Sequence, residues 1–385
     1  MDPNYVVTDF ETLLHLIDIV IQEPPPGLFM AECADGTIVG ESVGAPMYLI
    51  FDTLSNTSAA YDLFRYDVFN AALKELLNSW GNYLQSPAST STLTVGPEGW
   101  FSQESMANFD PYIKPLSFEA TYVCPDPSAE NKGFDSWDAF FTRALQPKAR
   151  PVLFPDNADL IHNPCESTTL RYRTNVQLHD TFWLKQQRYS LYDMLNEDED
   201  DARQFAGGAV YQAFLSLHDY HRWHSPVKGK ITKTILVPGT YYAALPDDGA
   251  PADDPHAKEG SPHGVLTRCQ PWLSVVATRA LVFIQADNPA IGLVCFIAIG
   301  MAEVSTCETT VTVGQEVAIG EQLGLFRFGG SSYALIFGPQ AKIIFEDLDG
   351  KPIEEGSHYR INTVIAKVAK SWFRGVDTRT GCRSQ

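Results

Sequence analysis

Basic residues are scarce: 28 lysines and arginines face 47 aspartates and glutamates, a formal net charge of −19 over 385 residues. A field of that sign repels phosphate backbones and anionic headgroups, and no local basic patch offsets it. Nucleic acid and a bilayer surface are therefore disfavoured as partners. Long apolar runs are missing too. The longest uncharged run, "PAIGLVCFIAIGMA" at 289–302, is shorter than the roughly 18 residues a membrane span needs and reads as one or two buried strands. The opening "MDPNYVVTDFETLL" has no basic region followed by an apolar core, so no secretory leader is expected. The seven cysteines are odd in number and scattered, with no CxxC spacing. That argues against a disulfide framework or a zinc site and fits a reducing, cytoplasmic setting.

What remains is the composition of a globular chain, 44% hydrophobic and 19% charged, with ample length for a core. Thr8-Asp-Phe-Glu11 has the form of a capping box. Behind it Phe10, Leu13, Leu14, Ile17, Val20 and Ile21 recur at helical spacing, predicting an amphipathic helix over 9–22. "EPPPG" at 23–27 ends it. Leu63, Phe64, Phe69, Leu73, Leu76, Leu77 and Trp80 predict a second helix over 59–84. The texture changes at "PDPSAENKG", 125–133, which reads as a linker. Ser136 is an N-cap candidate for a helix in "SWDAFFTRAL". From about residue 150, short β-branched runs alternate with Pro and Gly turns, the pattern of strands. The expectation is an α+β chain: a mostly helical N-terminal domain over 1–128 and a β-rich domain over 129–385. "NEDEDDAR" at 196–203 is expected to be a solvated loop. The long segment 246–264 has no apolar periodicity and is a lid candidate.

Three stretches carry residues suited to chemistry. "LGLFRFGGSSYALIFG" at 323–338 sets two glycines and two serines between apolar runs. Gly329-Gly330-Ser331-Ser332 is either an ordinary tight turn or an exposed corner bearing a nucleophile. "LHDYHRWHSPVKG" at 217–229 holds His218, His221 and His224. Histidine transfers protons near neutral pH, yet a structural role in a core is the commoner one for such residues, with metal binding the third alternative. No Cys/His or HExxH spacing favours a metal. "HNPCESTTL" at 162–170 offers Glu166. An acid, a histidine and a serine suffice for a base-activated nucleophile, although spacing alone does not bring the three together.

"FFTRALQPKARP" (140–151), "HDYHRWHSPVKG" (218–229), "VPGTYY" (237–242) and "FGGSS" (328–332) occur in the order of motifs of the phosphatidylserine decarboxylase family, which this chain resembles over roughly 130–385. "GAPMYLIF", "HNPCES", "STCE" and "FGGSSYAL" resemble the soluble fungal branch that contains L-tryptophan decarboxylases.

The resemblance implies a β-rich, pyruvoyl-dependent decarboxylase that cuts its own backbone between Gly330 and Ser331. Ser331 would attack the Gly330 carbonyl, and elimination and hydrolysis would leave a pyruvoyl group at residue 331. His224 matches the family's cleavage histidine and is expected to be the base for Ser331. Glu166 falls where the family usually carries Asp, and is expected to orient an imidazole. His221 is expected to return the proton after CO2 leaves, and His218 to be structural. The substrate amine would form a Schiff base with the pyruvoyl ketone, without PLP or a metal. A small amino acid, tryptophan or another aromatic first, is expected as substrate, with Trp223, Tyr241, Tyr242 and Tyr333 as stacking surface. The cleaved chains would remain associated, and relatives suggest a homo-oligomer. Two alternatives stand beside this reading: a phosphatidylserine decarboxylase, and an uncleaved pseudoenzyme or binding module.

Overall fold

The computed structural model describes residues 7, 9–32, 38–41, 45–55, 57–179, 190–245, 249, 268–303 and 306–369. The first part is largely helical. Helix α1 (Phe10–Val20) is capped by Asp9, whose carboxylate accepts the Thr12 N–H at 2.8 Å; Thr8 lies outside the described residues. A hairpin of β1 (Phe29–Glu32) and β2 (Ile38–Glu41) precedes α2 (Pro46–Ser55). The helix predicted over 59–84 is two helices, α3 (Ser58–Leu63) and α4 (Asp67–Leu84). The break has a local cause. The Asn70 amide donates to the carbonyls of Phe64 and Tyr66 at 2.8 and 3.1 Å, occupying acceptors at the junction. Helix α4 then buries Leu73, Leu77, Trp80 and Leu84 at helical spacing. Helices α5 (Gln103–Ile113), α6 (Phe118–Thr121) and α7 (Trp137–Phe141) follow, the last capped by Ser136 as expected.

The second part is strand-rich: β3 (Leu160–His162), β4 (Ser167–Thr174), then the short helices α8 (Leu191–Met194) and α9 (Glu199–Phe205). Helix α9 corrects the loop expected at 196–203. Asp198 caps it, accepting the Asp201 N–H, and three acidic residues in its first turn suit the helix dipole. Next come β5 (Ala209–Leu215), β6 (Arg222–His224), β7 (Gly229–Val237), α10 (Gln270–Val276), β8 (Arg279–Ala286) and β9 (Leu293–Met301). The chain continues through β10 (Cys307–Thr309), β11 (Glu316–Val317), β12 (Gln322–Phe326), β13 (Gly330–Phe337), β14 (Ile343–Ile344), β15 (His358–Tyr359) and β16 (Val364–Val368). Apart from Gly249, the segment 246–264 lies outside the described residues.

The fold is α+β. Its centre is an eight-stranded antiparallel sheet in the order β11-β7-β8-β9-β13-β5-β4-β15, with small sheets β10-β12-β6 and β14-β16-β3 beside it. β9 and β13 are buried along nearly their whole length, which is why both read as continuous apolar runs rather than alternating ones. The apolar core on one side of the sheet includes the helical residues Trp80 and Trp137, both packed edge-on against Phe328 at 5.5 and 4.4 Å between ring centres. Two tryptophans of the helical part thus brace the chain two residues before Gly330.

Candidate active site

The glycine-serine corner is the start of a central strand. Gly330 and Ser331 open β13, with Ser331 opposite Gly300 of β9 and Leu215 of β5. Ser331 is 1% exposed, so the exposed corner expected from the sequence is a buried one. A Cβ on residue 330 would lie 2.8 Å from the Met301 carbonyl oxygen, so glycine is the residue that fits that close approach.

The structure brings His221 to Ser331. Imidazole Nδ1 is 3.4 Å from Ser331 Oγ, and Nε2 faces the Leu217 carbonyl oxygen at 3.3 Å. The carbonyl can only accept, so Nε2 carries the proton and Nδ1 turns a lone pair toward the hydroxyl. The ring stacks on Phe141 of α7 with centres 4.0 Å apart, which fixes its plane. Burial, aided by Arg143, pushes the His221 pKa down to about 3, so the ring stays neutral and able to accept.

His224, expected as the Ser331 base, points elsewhere. Its Nε2 pairs with the Tyr220 hydroxyl at 3.1 Å, at the end of strand β6, whereas His221 lies before that strand. Burial lowers its pKa to about 4. Glu166, expected to orient an imidazole, is instead clamped by Arg150 of "QPKARP". Arg150 Nε donates to both carboxylate oxygens at 2.9 and 3.1 Å, and Nη2 to Oε1 at 2.5 Å. The guanidinium fork matches a carboxylate in two places, and both groups are buried. His218 is buried, edge-on to Phe109 at 4.7 Å.

Sequence reasoning missed Asp219 and His358. Asp219 is fully buried; one oxygen accepts the Ser216 N–H at 2.6 Å and the other pairs with His358 Nε2 at 2.8 Å. Asp219 lies inside the quoted histidine block, so its signal was present. His358 comes from β15 and sits in no recognised motif. Arg143, the arginine of "FFTRAL", donates to the carbonyls of His218 and Asp219 at 2.8 and 3.0 Å. The family motifs thus meet in space: one arginine holds the histidine turn, the other holds Glu166.

Of the four aromatics expected to stack on substrate, Trp223, Tyr242 and Tyr333 are buried against other rings. Trp223 stacks on Phe296 at 5.1 Å, and Tyr333 on the other side of Phe296 at 5.8 Å with its hydroxyl on Asn163. Tyr242 packs on Phe51 at 4.8 Å and its hydroxyl approaches Glu303 at 3.4 Å. Tyr241 lines a cavity of about 610 Å³. Among the described residues no group of three or more His, Cys, Asp or Glu is arranged to hold a metal, and no helix is long and apolar enough to cross a membrane.

A buried serine opening a central strand behind a glycine, with a neutral imidazole aimed at it, is an arrangement for cutting a chain or transferring an acyl group. Family comparison names the class. A family model described as phosphatidylserine decarboxylase matches residues 137–361, and a second of the same description matches 1–109. The chain belongs to the phosphatidylserine decarboxylase family and is a decarboxylase. "Decarboxylase iboD" of Amanita muscaria is 53% identical over 356 residues, 92% of this chain and 100% of that protein. An L-tryptophan decarboxylase of Psilocybe cyanescens is 37% identical, covering 85% of this chain and 75% of its own length. A phosphatidylserine decarboxylase proenzyme of Schizosaccharomyces pombe is 31% identical over 56% of this chain and 20% of that protein.

Proposed function

We propose that this decarboxylase acts on a small amino acid, an aromatic L-amino acid first, with a pyruvoyl group made from Ser331 by cleavage of the Gly330–Ser331 bond. The observation that carries the reading is the approach of His221 Nδ1 to Ser331 Oγ, 3.4 Å. Distances at the long end of the hydrogen-bond range are common before the reacting geometry closes. The family is generally pyruvoyl-dependent, and the residues here fit that group: a Gly-Ser pair at the head of a strand, with a base-competent imidazole beside it.

In this reading His221 Nδ1 takes the proton as Ser331 Oγ attacks the Gly330 carbonyl carbon. The missing Cβ at 330 leaves that carbon open. The amide C–N bond breaks, the acyl group passes to oxygen, and the freed amine of residue 331 takes up a proton. Elimination would then break the Ser331 Cβ–O bond, releasing the Gly330 carboxylate and leaving dehydroalanine, which water converts to a pyruvoyl group with loss of ammonia; that group would supply an electron sink for the pair released as CO2 leaves. His221 then holds the proton that is returned to the substrate carbon, and the stack on Phe141 keeps water from the ring. The likeness to the L-tryptophan decarboxylases, 37% identical over most of the chain, supports an amino acid substrate. The net charge of −19 disfavours delivery to an anionic bilayer.

The test is intact mass and turnover together. Mature protein should contain two chains, 1–330 and 331–385, the second beginning with a blocked, carbonyl-bearing residue. A single uncleaved species that still decarboxylates would overturn the pyruvoyl reading. Faster turnover of phosphatidylserine in micelles than of tryptophan would overturn the substrate reading alone.

A further inference from the structure

We propose that His358 is a positioning residue for the reaction, acting through Asp219 and the 216–219 turn to hold His221 against Ser331. The inference rests on the role proposed above for His221.

Each link is a short polar contact. His358 Nε2 reaches Asp219 Oδ1 at 2.8 Å, and Asp219 Oδ2 accepts the Ser216 N–H at 2.6 Å. The Asp219 N–H donates back to the Ser216 carbonyl at 3.0 Å, so this one residue closes the turn twice. Arg143 fastens the carbonyls of His218 and Asp219 from outside. Leu217 sits within that stapled loop, and its carbonyl faces His221 Nε2. That contact decides the tautomer of His221, and the tautomer decides whether Nδ1 can accept from Ser331. Packing holds the turn at the half-buried Leu217 and at His218, whose ring meets Phe109 and Tyr112, while Asp219 supplies its polar closure. Its shape depends on a fully buried carboxylate, and that carboxylate depends on its histidine partner.

The charge logic agrees. Burial pushes Asp219 up to about 6, and His358 opposes that rise. Burial would lower His358, but the Asp219 carboxylate outweighs it and the His358 pKa is raised. The pairing favours the protonated imidazole of His358 and the ionised carboxylate of Asp219 together. The other groups bearing on it are Glu166, Arg150 and the buried Cys165, Arg360 two residues along, and Tyr112 of α5, whose ring stands 4.9 Å from the His358 ring. Removing the imidazolium leaves Asp219 buried without its cation, so it holds a proton to higher pH and becomes a weaker acceptor for Ser216.

The experiment uses full-length protein carrying His358→Gln, His358→Asn, Asp219→Asn and the double Asp219→Asn/His358→Gln. Cleavage is followed by intact mass, and kcat and KM for tryptophan are measured on cleaved protein from pH 5 to 9. Expected are a fall in kcat of roughly tenfold or more with KM nearly unchanged, and an acid limb moved to higher pH by about one unit. The double variant should be little worse than either single one, as for two residues in one path. A His358→Gln protein with the wild-type profile, or effects that add fully, would overturn the proposal. Should these variants fold poorly, ¹⁵N spectra of His221 in the Ser331→Ala protein decide. They should show one tautomer with His358 present and a mixture with His358→Gln, and an unchanged single tautomer would overturn the idea. His221→Gln is run alongside. If it cleaves and turns over normally, the reading of His221 fails; if it fails while His358→Gln is normal, only the present inference does.

Discussion

Arg150 grips Glu166 through two guanidinium nitrogens, with all three contacts between 2.5 and 3.1 Å and both side chains buried. The acid that the sequence offers to a histidine is thus a structural tie between the 140–151 motif and the start of β4. Removing one partner would leave a buried, uncompensated charge, at about 3–5 kcal/mol. Glu166→Ala and Arg150→Ala should each lower the unfolding free energy obtained from urea titration by that order. Losing both should cost less than the sum. The comparison is made on a Ser331→Ala background, so that processing does not alter the unfolding transition.

The two histidines three residues apart, His221 and His224, should separate in function. His221→Gln is expected to slow self-cleavage by about 10²–10⁴, the range lost with a general base. His224→Gln should have a smaller effect, since its Nε2 is engaged with Tyr220. Time courses of chain cleavage on denaturing gels measure both. Equal blockage of cleavage by His224→Gln would restore the division of labour expected from the motifs.

Gly330→Ala tests the close approach. A Cβ there would stand 2.8 Å from the Met301 carbonyl oxygen, and neither β9 nor β13 can retreat without breaking its register. The overpacking should cost about 1–3 kcal/mol and leave the chain uncut. Thermal melting and intact mass report the two effects separately.

Glu303 gives a pH dependence of unusual sign. Its side chain is fully buried, accepting the Tyr48 N–H at 2.7 Å, and burial lifts its pKa to about 8 against an ordinary 4.5. The folded chain therefore binds more protons here than the unfolded chain between those values. This group's contribution falls as pH rises from about 4.5 to about 8, then levels off. Glu303→Gln keeps an acceptor for Tyr48 and should flatten that slope, raising stability at pH 8 by on the order of a few kcal/mol. Denaturant midpoints at pH 5 and pH 8 for both proteins check it.

A ketone reagent distinguishes the proposed prosthetic group. Borohydride added together with substrate should inactivate the mature enzyme and add substrate mass to the chain beginning at residue 331. The Ser331→Ala protein should be unaffected. Dialysis against EDTA should leave turnover unchanged.

The sequence was informative wherever period or motif order carried the signal. The run at 289–302 became β9 because a strand buried on both faces has no polar alternation to show. The break between α3 and α4 was invisible because the apolar spacing runs straight through it; an asparagine side chain, not a helix breaker, ends the first helix. Motif order pointed to the right turn around His221, yet spacing cannot tell which of two imidazoles three residues apart faces the serine. Trp223 and Tyr333 looked available for a ligand because residue type does not report burial. His358 was out of reach for a simpler reason: 139 residues separate it from Asp219, and no local pattern records such a pairing.

β13 lies in the middle of the sheet, bonded to β9 on one edge and β5 on the other, and both neighbours precede Gly330. Before cleavage, folding is a first-order event within one chain. After the proposed cut the same architecture would belong to two molecules, one threading a strand between two strands of the other. Reassembly from the denatured state would become second-order, with a yield that depends on concentration and competes with aggregation. The cut would therefore act as a ratchet. The mature enzyme would persist through the height of its unfolding barrier rather than through any equilibrium it could regain, and its lifetime, not its free energy of folding, would be the quantity that evolution adjusts.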